Sequence, residues 1–241
     1  MDYRLRITPW ARGIALRVTG AGALEIIAPR RYSPRTLARI LAQEAAWIEA
    51  AQADAAARRL TLPPPAPWRL PSGIDLPAMN GHWSVTVRPT AARGVRVVPA
   101  SPDGLLLAGR VADPAACRNA LRRWLLRQGR VHLLPCLEEV SHRCGLPYSR
   151  GTVRLARRRC GSCSRAGTIS LNARLLLLAA PLVDYVCVHE LCHTREPNHS
   201  SAFWRLVARH CPAYASARTA LRAAGKQLPA WALDPGEDLR P

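Results

Sequence analysis

Residues 189–199 read His189-Glu190-Leu191-Cys192-His193-Thr194-Arg195-Glu196-Pro197-Asn198-His199 and hold three of the chain's seven histidines. In a helix, side chains four apart share one face about a turn apart, so His189 and His193 can present two imidazoles to one metal ion. Glu190 is offset by one position, which suits it to take a proton from a metal-activated water rather than to ligate. On an unbroken helix, His199 would lie roughly 9 Å further along the axis than His193 and could not share the ion. Pro197 removes that obstacle. It disfavours helical backbone at Glu196, so the helix is expected to end there and the chain to turn back. Ser200 can then cap a new helix that carries Phe203, Trp204, Leu206 and Val207 on its buried side.

A catalytic zinc takes three protein ligands and leaves one position open. His189, His193 and His199 are the expected ligands of one Zn2+ per chain, with Glu190 as the catalytic carboxylate. The preceding run supports this. Pro181 stands where a first helical residue would, and Leu182, Val183, Val186, Val188 and Leu191 describe a largely buried helix. Two histidines and a glutamate on such a helix are costly to bury without a partner, and a metal supplies one. The His193–His199 spacing equals that of metzincins, but these need a methionine turn after the site. Here the two methionines, Met1 and Met79, lie far upstream, which excludes that reading.

A wider window adds Arg159-Cys160-Gly161-Ser162-Cys163-Ser164, then Gly167-Thr168-Ile169-Ser170-Leu171-Asn172, then Tyr185-Val186 before the histidines and Asn198-His199-Ser200 with Phe203-Trp204 after them. The series resembles the YgjP-like (DUF45) zinc metallopeptidase family, closely over residues 150–210 and more loosely toward the N-terminus. The resemblance implies His189, His193 and His199 as zinc ligands, Glu190 as general base and peptides or proteins as substrate. Cys160 departs from the family's usual tryptophan, which bears on packing beside the site. Cys160 and Cys163 form a Cys-x-x-Cys, but no second pair completes a four-thiolate site. Tyr185, one turn before His189, and Arg159 are candidate oxyanion donors. Glu196 is a candidate for orienting a ligand. The plainer alternatives are packing for Tyr185 and an exposed helix-end carboxylate for Glu196.

The formal net charge is +19, with 35 basic residues against 16 acidic, and every basic residue but Lys226 is arginine. Such a surface can attract nucleic acid or other polyanions through Arg30-Arg31, Arg122-Arg123 and Arg154 with Arg157-Arg158-Arg159, the plainer alternative being a solvated basic face with no dedicated partner. Nucleic acid is therefore a possible partner, as for SprT-like proteases with a similar histidine pattern, and a non-catalytic zinc protein is a third reading. No apolar run approaches the ~20 residues of a membrane span. The N-terminus lacks a signal-peptide layout, and eight scattered cysteines suit a reducing compartment, so a cytoplasmic location is expected.

Along the chain, Ile14–Val18, a Gly20-Ala21-Gly22 turn and Leu24–Ile26 read as a β-hairpin. Ser33-Pro34 starts a helix whose stripe is Leu37, Ile40, Leu41, Ala45 and Ile48. Prolines 63, 64, 65 and 67 read as a stiff connector. Strands follow near Trp83–Arg88, Val95–Val98 and Leu105–Leu107. Asp113-Pro114 opens a helical region expected to break at Gly129 or Pro135 and end near Gly145. Strands at Val153–Arg158 and Thr168–Leu171 and helices at Ser201–Cys211 and Ala215–Ala224 complete the pattern, with a weakly structured tail after Pro229. The expected class is α+β, a zincin-like catalytic domain at 110–241 preceded by a β-hairpin-rich, strand-rich region at 1–109 with one helix.

Overall fold

The structure is a computed structural model that describes residues 2–11, 13–19, 22–61, 68–157 and 159–233, with backbone alone for 58–61. The class is α+β, and the chain divides into two compact units, Met1–Pro67 and Trp68–Pro241. The division at 109/110 expected from sequence differs from this one. The reason is a shared core: Ile74, Leu76, Val95, Val97, Leu105 and Leu107 pack into the same buried cluster as the site-bearing helices.

In the first unit, β1 (Tyr3–Ile7) pairs parallel to β3 (Leu24–Ala28), and β2 (Ala15–Val18) pairs antiparallel to β3. The β2–β3 hairpin is the expected one, although Gly20 and Ala21 of its turn lie outside the described residues, as do prolines 63, 64, 65 and 67. α1 (Pro34–Gln43) starts on Ser33, whose hydroxyl accepts from the Thr36 amide. The single helix expected here is two. Glu44 leaves helical geometry (φ −97, ψ 9), and α2 (Ala45–Thr61) begins after it. Leu37 of α1 and Ile48 of α2 bury against Leu24 and Ile26 of β3.

In the second unit, β4 (Gly73–Leu76), β5 (Gly81–Pro89), β6 (Val95–Ser101) and β7 (Gly104–Gly109) form a sheet in the order β4-β5-β7-β6, with β5 and β7 parallel. α3 (Pro114–Cys144) is capped by Asp113, whose carboxylate accepts from the Ala115 and Ala116 amides, and closes on left-handed Gly145. It runs on through both expected breaks. Gly129 is there for proximity: a Cβ on it would sit 2.9 Å from Val153 Cγ1 and 3.1 Å from Ala173 Cβ. Pro135 forfeits one helical bond, to the Val131 carbonyl, on a side where Val131 is exposed.

β8 (Arg150–Arg154), β9 (Gly161–Cys163) and β10 (Thr168–Asn172) form a second sheet in the order β8-β10-β9. β8 begins before the expected strand, Arg158 lies outside the described residues, and the Cys-x-x-Cys segment is itself the edge strand β9. Three helices follow: α4 (Ala180–Cys192), α5 (Ser201–His210) and α6 (Tyr214–Gly225). The chain after Pro229 is more ordered than expected as far as Leu233. A 3-10 turn at Ala230–Ala232 buries Trp231, and the Ala232 carbonyl accepts from Nε of the fully buried Arg174 at 2.6 Å. A buried guanidinium needs such acceptors, and Ala156 supplies another at 2.7 Å.

Candidate metal centre and active site

α4 carries the first two site histidines because nearly all of its surface is apolar. Val183, Tyr185, Val186, Cys187, Val188, Leu191 and Cys192 are buried around it, which fixes the helix in depth and rotation. Its end falls earlier than the proline suggested: α4 stops at Cys192, with His193 as its C-cap. The reversal is closed by amides of Thr194, Arg195 and Glu196 donating to the carbonyls of Leu191, Cys192 and Cys192. Ser200 then caps α5, accepting from the Phe203 amide at 3.2 Å.

This reversal brings His199 back over α4. One ring nitrogen from each of His189, His193 and His199 lies within 4.8 Å of the others, and the Nε2 atoms of His189 and His199 are 3.1 Å apart. Two nitrogens on one tetrahedral zinc would be separated by about 3.3 Å, given bonds of about 2.0 Å. His193 Nδ1 donates to the Glu196 carbonyl at 3.0 Å, which leaves Nε2 free for the cleft. Glu196 thus touches a site imidazole through its backbone. His189 Nδ1 is buried with no hydrogen-bond partner, and Nε2 is the nitrogen turned toward His199. Burial, with His193 and His199 beside it, pushes His189 down to about 3, and burial likewise lowers His193. Both rings are therefore neutral at pH 7, the form that ligates a metal. The residues fit a divalent cation.

The aromatic setting is dense. Phe203, fully buried, stacks on His193 (centroids 4.4 Å apart, planes 23°) and meets His189 and His199 edge-on at 5.0 and 4.9 Å. It is the floor beneath all three imidazoles. Trp204 stacks on His199 at 5.7 Å.

Glu190 is 6% exposed and lies against β9, where a Cβ on Gly161 would fall 2.7 Å from its Cγ and Oε1. Only glycine lets that strand pass so close. Burial pushes the Glu190 carboxyl up to about 8, opposed by the Arg159 charge; a cation held by the imidazoles would act in the same sense as Arg159. Tyr185 is buried in the cleft wall, where desolvation pushes its phenol up to about 12 and keeps it an O–H donor. Arg159 is exposed at the cleft mouth just before β9. These groups border a cleft of about 590 Å³ that also takes in Trp204, Arg218 and Arg222.

The family described as YgjP-like, metallopeptidase domain, matches residues 12–224. The chain belongs to that family. No curated protein matches the YgjP-like chain. A similar solved structure is the crystal structure of the metallopeptidase zymogen of Pyrococcus abyssi abylysin, at 25% identity over 38% of this chain and 92% of that one, with a TM-score of 0.35. Among the described residues of the YgjP-like chain, no helix is long and apolar enough to cross a membrane. Cys160, where the resemblance noted a tryptophan, is buried beneath the site. Its thiol is pushed up to about 12 by burial, and all eight cysteines are free thiols.

Sequence reasoning passed over Gly161, Arg218 and Arg222. The glycine was visible in the Cys-x-x-Cys segment, but its role depends on where Glu190 lands. The arginines lie on α6, with no local signal tying them to the histidines.

Proposed function

We propose that this YgjP-like protein is a zinc-dependent peptidase. His189, His193 and His199 hold the ion, and Glu190 is the general base. The observation that carries the reading is the convergence of three imidazole nitrogens within 4.8 Å beside the buried carboxylate of Glu190. A zinc ion in that position supplies Lewis acidity and brings the ionisation of water to about pH 7. Glu190 accepts the proton of the attacking water at its carboxylate and delivers it to the leaving amine. Tyr185 and Arg159, which line the same cleft, donate to the carbonyl oxygen as negative charge develops on it. β9 is an edge strand whose open side offers backbone pairing to an extended peptide. The Glu196 carbonyl orients His193 from behind. All these residues fall within 110–241, the segment we assign to catalysis.

Replacing Glu190 by glutamine should leave one zinc per chain by metal analysis while lowering peptide cleavage by about 10²- to 10⁴-fold. Wild-type turnover in that variant would end the proposal, as would a purified chain that carries no divalent metal.

A further inference from the structure

The cleft's charge is one-sided. It is bordered by Arg159, Arg218 and Arg222, and among the described residues its only carboxylate is the buried Glu190. Some arginines elsewhere are paired within the fold: Arg17 with Glu25 at 2.7 Å, Arg110 with Asp113 at 2.8 Å and Arg143 with Asp184 at 2.6 Å. Arg123 donates to the Val95 carbonyl. Among the described residues, none of the three cleft arginines has an acid within ion-pair distance.

Arg218 and Arg222 are four apart on α6, so they share one face and project together into the cleft. Arg218 is also positioned. Its guanidinium carbon lies 5.0 Å above the Trp204 ring, and Trp204 stacks on His199 at 5.7 Å and on Tyr214 at 5.4 Å. The cation is thereby fixed relative to a site imidazole at little further entropic cost on binding. A planar, pre-placed guanidinium with no acidic partner among the described residues matches a carboxylate, which it can bind through two parallel hydrogen bonds.

We infer that the cleft recognises a substrate carboxylate next to the bond to be cut, with Arg218 as the principal anchor and Arg222 and Arg159 as flanking cations. The inference rests on the peptidase reading for the identity of the substrate. The carboxylate can come from an aspartate or glutamate side chain or from a chain terminus.

The test uses the zinc-loaded Glu190→Gln chain and three sets of fluorescent peptides. One set has glutamate near the centre and an amidated end, the second has glutamine there and an amidated end, and the third has glutamine and a free C-terminal carboxylate. Either carboxylate set, or both, should bind about tenfold more tightly than the neutral set at low salt. Which set gains identifies the source. Adding Arg218→Gln should reduce the preference to about twofold, and adding Arg222→Gln as well should remove it. Zinc content and circular dichroism check that each variant is folded, and the wild-type preference stands as a test without any variant.

Equal affinity for all sets, or no binding of any, overturns the inference. So does a preference that survives undiminished in the double arginine variant, because the carboxylate is then held by neither Arg218 nor Arg222. Turnover of a mixed peptide library by the wild-type chain separates the two proposals. Binding without cleavage removes the peptidase reading and keeps the arginine site; cleavage of acidic and neutral peptides with equal kcat/KM does the reverse.

Discussion

The two compact units solve the burial problem to different degrees. In Met1–Pro67 the fully buried side chains that form the core are Leu24, Ile26, Leu37 and Ile48, while Trp10 and Trp47 stand exposed. In Trp68–Pro241 a continuous core runs from Ile74 to Ala232, and Trp124 and Trp231 are inside it. The helices follow suit. α1 buries only Leu37, whereas α4 is buried on nearly every side. Three imidazoles hold one cation only if their rings stay within a few tenths of an ångström of the required geometry. The unit that carries them has the packing to enforce that, and the other unit has no such demand placed on it.

Phe203→Ala attacks the comparison where it is strongest. Deleting the ring beneath all three histidines should cost about 3–5 kcal/mol of stability in denaturant unfolding. Zinc affinity should fall with it, because His193 loses its stacking partner. Stability falling while zinc affinity stays unchanged would show that the histidines are held without their aromatic floor. Ile48→Ala is the matching lesion in the first unit and should cost about 2–3 kcal/mol, the low end for such truncations because a small core collapses more easily around the gap. One zinc per chain should remain. Loss of zinc in Ile48→Ala would break the distinction between the units.

How much of this is legible in the sequence depends on the range of each signal. Caps act within a few residues, and Ser33, Asp113 and Ser200 each accept the amide bonds their sequence contexts imply. The convergence of His199 was legible because one proline marked the reversal, even though the helix stops earlier, at Cys192. Gly129 and Pro135 misled for the converse reason. Each is a local breaker, but packing on Val153 and Ala173 outweighs the loss of one helical bond. β1 beside β3, β9 as a strand, and the two arginines of α6 depend on pairings between distant segments that no local pattern encodes. Charge was the poorest guide: +19 described the surface as a whole but not the three arginines that meet at one cleft.

The smallest effect concerns α3, which packs on Val153 and Ala173 through Gly129 and is held at its start by Asp113. The amide of Ala116, the Arg110 guanidinium and the amide of Ala115 hold the Asp113 carboxyl below the usual carboxylate range. Because the folded chain binds that proton less readily than the unfolded chain, stability from the cap is complete above the ordinary aspartate range. It fades as pH falls through the carboxyl's own lower value. Asp113→Ala should therefore be slightly less stable than wild type at pH 7, and the gap between them should close as the solution is acidified. A gap that stays constant from pH 7 to about pH 2, well below the ordinary aspartate value, would show that the substitution acts through chain propensity. The N-terminus of α3 would then owe nothing to the charged form of its cap.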